Sequence, residues 1–330
     1  MTTHLGSNRD ERIGTRRRRT HRRLRSAVVA AVAATGIAGL AVSCTPPPSG
    51  GGGDGVRFVD QVFPTVTTTS DLTYATAPDL QTGQPVQLEL DLYGPAGDTM
   101  AARPAIVWIH GGGFKGGKKD AVVDAATAYA RRGYVTIGID YRVDPGNRCQ
   151  DVQHGLISDP VELATEAARC SAAIAAAQHD TQAAIRWLRA NAATYGVDPG
   201  RIAAAGFSAG AVTATNVAER SEDPGTVGDH LDQPSGVDVG LAASGCNYLP
   251  DSIDASDAPV SLLASELDRA VLFSCTVETA ERAAAVGTPV QTLFHYGEPT
   301  HGLDLYLKYR SETDAAWTSF LVEHLDLAGA

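Results

Sequence analysis

Two short stretches carry groups at spacings that chemistry uses. The first is Gly206-Phe207-Ser208-Ala209-Gly210, which follows the apolar run Arg201-Ile202-Ala203-Ala204-Ala205 and precedes a helical run from Ala209 to Arg220. Strand, sharp turn and helix with a serine at the turn hold the hydroxyl clear of a sheet, where it can act as a nucleophile. The flanking glycines let strand and helix approach closely. The second is His110-Gly111-Gly112-Gly113-Phe114, directly after the apolar run 105–109. Successive glycines let backbone N–H groups come within hydrogen-bond reach of an oxygen that gains charge during acyl transfer. A phosphate loop fits less well, because Gly117-Lys118-Lys119 lacks the hydroxyl of a G-K-[ST] ending, and no dinucleotide fingerprint is cleanly placed.

The elements that must position these groups follow from the hydrophobic pattern. Residues 66–77 and 85–93 read as strands, and Gln87-Leu88-Glu89-Leu90-Asp91-Leu92 alternates as a half-exposed antiparallel strand does. Residues 105–109 and 134–139 read as buried parallel strands, and strands at 237–244, 259–264 and 289–296 follow the 201–205 run. Helices are expected at 120–132, 160–177, 181–193, 209–220, 277–286 and 314–325, with Asp180 as the N-cap of the third. From residue 105 onward this is a βαβα alternation, which requires a mostly parallel sheet with helices on both faces. One connection is long, at about 141–180. With an Ala-rich helix and two cysteines it reads as a disulfide-clamped helical insertion.

The chain has 330 residues, enough for one large α/β domain. Residues 1–44 differ from the rest. A block of nine arginines precedes a charge-free apolar run at 27–42, the pattern of a signal peptide. It ends Ala41-Val42-Ser43-Cys44, which is similar to a lipoprotein cleavage box, so Cys44 is the candidate for lipidation, with cleavage and free secretion as the alternative. Residues 45–55, rich in Pro and Gly, form a linker, and 56–330 form the domain. Residues 1–44 carry nine basic and two acidic residues, so removing them takes the net charge from −11 to near −18. An acidic surface repels phosphate backbones and disfavours nucleic acid as a partner. Cys149, Cys170, Cys246 and Cys275 imply two disulfides in an exported chain. Three connectivities are open, and proximity favours 149–170 with 246–275. No metal-ligand spacing appears, and neither a metal nor a cofactor is expected.

His110-Gly111-Gly112-Gly113-Phe114 with Gly116-Gly117, Asp198-Pro199-Gly200-Arg201-Ile202, Gly206-Phe207-Ser208-Ala209-Gly210, Asp268 and His301-Gly302 together resemble the α/β-hydrolase superfamily. Within it the likeness is to the HGGG-type esterase/lipase group, carboxylesterases of the hormone-sensitive-lipase kind. The likeness runs from Val66 to the C-terminus. It implies an eight-stranded, mostly parallel sheet and the order Ser, then acid, then His. By that analogy His301, in the loop beyond the last strand, is the base and Asp268 the acid, with Glu266 as runner-up. The family's H-G-x-x-D is replaced here by Ala264-Ser265-Glu266-Leu267-Asp268, which keeps the spacing and loses the His-Gly. Backbone N–H groups of Gly112, Gly113 and Ala209 would hold the oxyanion, and His110 would support its loop. The implied function is hydrolysis of a small-molecule ester. The alternatives are a serine peptidase on the same fold and a non-catalytic binding protein.

Overall fold

The computed structural model describes residues 55–220 and 222–329. The segments read as signal, lipidation site at Cys44 and most of the linker lie outside the described residues. The sheet has eight strands: β1 (Val66–Pro78), β2 (Pro85–Pro95), β3 (Arg103–Ile109), β4 (Val135–Ile139), β5 (Val197–Phe207), β6 (Val239–Ala243), β7 (Val260–Ser265) and β8 (Val290–His295). Their order is β1-β2-β4-β3-β5-β6-β7-β8. β1 and β2 pair antiparallel, β2 meets β4 antiparallel, and every pairing from β4 to β8 is parallel. This is the α/β-hydrolase fold that the family resemblance implied, with the mostly parallel sheet that the sequence pattern implied.

Strand alternation divides the interior into two layers. Ala105, Val107 and Ile109 of β3 pack on one face with Ile202 and Ala204 of β5. Ile106 and Trp108 pack on the other with Ala203, Ala205 and Phe207. Successive side chains of a strand point to opposite faces, so a strand covered on both sides must be apolar throughout. Helices cover both layers. In chain order they are α1 (Val123–Ala130), α2 (Cys149–Gln153), α3 (Pro160–Ala190), α4 (Ala192–Tyr195), α5 (Ala209–Glu219), α6 (Phe273–Val286), α7 (Gly302–Lys308) and α8 (Arg310–His324). α3 and α5 contribute to the first layer, α1 and α8 to the second.

Two expectations need correction. Residues 160–177 and 181–193 are not two helices but largely one, α3, followed by the short α4. Its N-cap is Asp159, whose carboxylate accepts from Val161 and Glu162 N–H, with Pro160 in the first turn. Asp180 caps nothing. It is fully buried in mid-helix and takes the Arg142 guanidinium and the Arg142 backbone N–H, at 2.7 and 2.8 Å. No glycine or further proline interrupts 161–190, and a buried stripe through Cys170, Ala173, Ala177, Ala184 and Leu188 runs past Asp180. That stripe outweighs the small helix-interior cost of an aspartate. The short helices α2 and α7 were not read from the sequence at all.

α5 ends on a buried carboxyl. Glu219 Oε2 is 3.4 Å from Asn247 Nδ2, and Oε1 has no partner among the described residues. Burial pushes its pKa up to about 8 from an ordinary 4.5. Between those two values the unfolded chain releases a proton that the folded chain keeps. Stability therefore falls as pH rises through this window and levels off above it. Glu219→Gln, which keeps the shape of the neutral acid, is expected to melt several degrees higher than wild type at pH 8, about 2–4 °C for each kcal/mol regained. The gain should vanish near pH 4.5. Melting curves across that range decide it, and a pH-independent offset would refute the assignment.

Candidate active site

Ser208 stands between β5 and α5 at φ 56°, ψ −122°. A non-glycine residue at positive φ is costly and persists only where its surroundings enforce it. Here they do. Ser208 N–H donates to Ala243 O at 2.9 Å, and its carbonyl accepts from Ala211 and Val212. A Cβ on Gly206 would lie 2.2 Å from Gly210 O, and one on Gly210 would lie 2.1 Å from Ile109 O. Both glycines of the motif are therefore fixed by the crossing of strand and helix.

The serine hydroxyl meets His301, the residue before α7. Ser208 Oγ is 2.7 Å from His301 Nε2, and His301 Nδ1 is 2.6 Å from Asp268 Oδ2. With the proton on Nδ1 donated to the carboxylate, Nε2 is free to accept the serine proton. The other oxygen of Asp268 accepts from the N–H groups of Ala270 and Val271, at 2.8 and 3.2 Å. Ser208, Asp268 and His301 are thus brought together. Glu266 is not among them: it is exposed and accepts from Gly297 N–H.

The loop after β3 faces the same space. Gly112 and Gly113 have φ of 118° and 63°. Together with Ala209 they line a cavity of about 540 Å³ that also touches Ser208 and His301. The N–H groups of Gly112, Gly113 and Ala209 find no acceptor among the described residues. Three unspent donors beside a serine hydroxyl can stabilise an oxyanion. His110 does not reach the cavity. Its Nδ1–H donates to Gly111 O at 2.7 Å, its ring stacks on Tyr141, and the Tyr141 hydroxyl donates to His110 O. Burial lowers its pKa and keeps it neutral.

The loop that carries His301 is held by residues that no motif announces. Gly302 N–H donates to Ser244 Oγ at 2.9 Å, and Ser265 Oγ–H donates to Thr300 O. Glu298 accepts from Thr300, from Lys308 and from the Tyr309 hydroxyl, and these bonds hold its carboxyl below the usual carboxylate range. Ser244 has φ 55°, but positive φ at a serine is invisible in a sequence.

The four cysteines pair as Cys149–Cys170 and Cys246–Cys275. The first ties α2 to α3, and α2 brings Cys149, Gln150 and Gln153 to the cavity wall. Gln150 Nε2 then donates to Arg269 O, in the loop that carries Asp268, at 3.0 Å. The second joins the segment after β6, which carries Tyr248 on the cavity wall, to the start of α6. Burial and the nearby Asp268 push the Tyr248 hydroxyl up to about 12, so it stays protonated.

Residues 90–154 and 165–236 match the BD-FAE family. Over 135 residues, 40% of this chain and 23% of the relative, the sequence is 33% identical to phenmedipham hydrolase of Pseudarthrobacter oxydans. Over 123 residues, 37% of this chain and 31% of the relative, it is 32% identical to carboxylesterase NlhH of Mycobacterium tuberculosis. The chain thus spans less than a third of the length of either curated relative. Among solved structures, Thermogutta terrifontis esterase 2 phosphorylated by paraoxon superposes with a TM-score of 0.60 at 24% identity, over 79% of this chain and 95% of that one.

Proposed function

We propose, from the premise that the chain belongs to the α/β-hydrolase superfamily, that it is a serine carboxylic-ester hydrolase acting through an acyl-enzyme on small or short-acyl esters. The observation that carries this reading is the relay Ser208 Oγ to His301 Nε2 to Asp268, with unspent backbone donors on the same cavity wall. In the mechanism His301 takes the serine proton as Ser208 attacks the ester carbonyl. The N–H groups of Gly112, Gly113 and Ala209 receive the oxyanion. Asp268 keeps the proton of His301 on Nδ1 and stabilises the imidazolium that forms. His301 then protonates the leaving alcohol and afterwards activates the water that frees Ser208. The name of the relative NlhH, a carboxylesterase, supports an ester substrate, and the mainly apolar cavity suits an uncharged acyl group near the serine.

A panel of p-nitrophenyl esters of rising acyl length beside aminoacyl anilides tests this. Turnover is expected on the short esters, with a burst of p-nitrophenol marking the acyl-enzyme. Cleavage of the anilides in preference to the esters would favour a peptidase, and no turnover of either would favour a binding protein. We further propose that the protein is exported and held at a membrane by lipid on Cys44. The disulfides are consistent with export, and membrane fractionation of the full chain distinguishes an anchored form from a freely secreted one.

A further inference from the structure

The helix that starts at the nucleophile serves two cavities. Ala209 and Val212 line the first, Asn216 lines a second of about 330 Å³, and Arg220, just past the helix end, lines the second as well. Steps of three or four residues put these on one face of α5. At 1.5 Å per residue, Asn216 lies roughly 12 Å along the axis from Ser208. Gln153 and Tyr248 line both cavities, while Cys149 borders the first and its disulfide partner Cys170 the second. The two spaces therefore share one partition, made of two side chains and a disulfide.

The second cavity has apolar walls, among them Val152, Ile174 and Leu249, and a polar floor. Asn216 is only 3% exposed, and among the described residues its side-chain amide finds no hydrogen-bond partner. Arg220 Nε is likewise buried with no partner among the described residues. Its terminal nitrogens are 3.3 Å from Gln178 Oε1 and 3.7 Å from Asp223 Oδ2, so its fork is only loosely engaged. A polar group that stays buried without a partner is costly, and the Asn216 amide and the Arg220 side chain line a void large enough to hold a group that would satisfy them. The unpartnered Asn216 amide offers an NH₂ donor beside its acceptor oxygen, Arg220 adds guanidinium N–H donors, and a carboxylate is the acceptor that such donors bind most strongly.

We propose that this second cavity is a distal subsite that takes the far end of an extended ester, an arm that reaches past Tyr248 and ends in a carboxylate. The proposal rests on Ser208 being the nucleophile. It turns the partition into a specificity element: short esters fill the first cavity alone, whereas a long arm with an anionic tip gains the Asn216 and Arg220 donors.

The test compares esters of equal length that differ only at the tip. Mono-p-nitrophenyl sebacate against p-nitrophenyl decanoate probes the acyl arm, and ω-acetoxydecanoate against decyl acetate probes the alcohol arm. On one arm the kcat/KM ratio of carboxylate tip over methyl tip is expected to be about tenfold or more, as for a hydrogen bond to a charged group. The ratio should fall towards one in Asn216→Leu and, independently, in the more exposed Arg220→Gln. No preference on either arm, or a preference that survives both substitutions, overturns the subsite. If no ester is turned over, the serine reading has failed by itself. Calorimetry of free sebacate with the Ser208→Ala protein then judges the cavity: binding that disappears on adding Arg220→Gln supports it, and no binding overturns it.

Discussion

Ser208→Ala is expected to lower kcat on p-nitrophenyl acetate by about 10⁶, and Asp268→Asn by about 10⁴. The alanine removes the only oxygen within reach of His301 Nε2 in the described structure. The asparagine acts through a proton, and the geometry fixes the direction. One oxygen of Asp268 is occupied by the N–H groups of Ala270 and Val271. An asparagine must present its own oxygen to those donors, which leaves its NH₂ facing His301 Nδ1. Nδ1 must then accept, so the ring proton moves to Nε2, and the base can no longer take a proton from the serine. The double variant should be no slower than Ser208→Ala alone, because the residues act as one unit. Steady-state kinetics on the three proteins, each shown folded by its melting curve, check this. Asp268→Asn with near wild-type turnover would remove the carboxylate from the relay.

What could be read from the chain and what could not follow from the reach of the interactions. The turn at Ser208 is local: Gly206, Ser208 and Gly210 are neighbours in sequence, and so are the three glycines after β3. Each motif writes its backbone geometry into residue types a few positions apart. The strands were legible because a strand covered on both faces must be apolar along its whole length, as Ala105 to Ile109 is. Asp268 and His301 were placed by order and by analogy with a family, since nothing in their own neighbourhoods says that they meet. The supports of the His301 loop are farther out of reach. Ser244 to Gly302 spans 58 residues, and no composition signal marks a serine that will accept one particular N–H. Asp180 failed for a related reason. Aspartate before a helical run is a fair capping signal, but its partner Arg142 is 38 residues earlier, and a buried ion pair there makes the same residue a mid-helix anchor.

Gly112→Ala should cost about 10²–10³ in kcat while leaving the fold intact. Gly112 has φ 118°, where L side chains rarely sit, and a Cβ there would lie 2.0 Å from Gly116 O and 2.8 Å from Gly116 C. Both are backbone atoms of the same short loop, so no side-chain rotation relieves the contact. The loop has to move, and the Gly112 N–H moves with it, away from the oxyanion. Gly113→Ala separates this from mere disturbance of the loop. Gly113 has φ 63° with nothing within 4 Å of a new Cβ. Its substitution costs about 1–2 kcal/mol of left-handed strain but keeps the N–H in place, so kcat should stay within about tenfold of wild type. Gly210→Ala marks the opposite extreme: its Cβ would strike Ile109 O at 2.1 Å in the seam between β3 and α5, and the damage should appear in yield and melting temperature before it appears in rate. The three substitutions thus place the same added methyl group where it displaces a donor, where it meets nothing, and where it separates a strand from a helix. Rates and melting temperatures measured together decide the matter, and Gly112→Ala with wild-type kcat would take its N–H out of the oxyanion site.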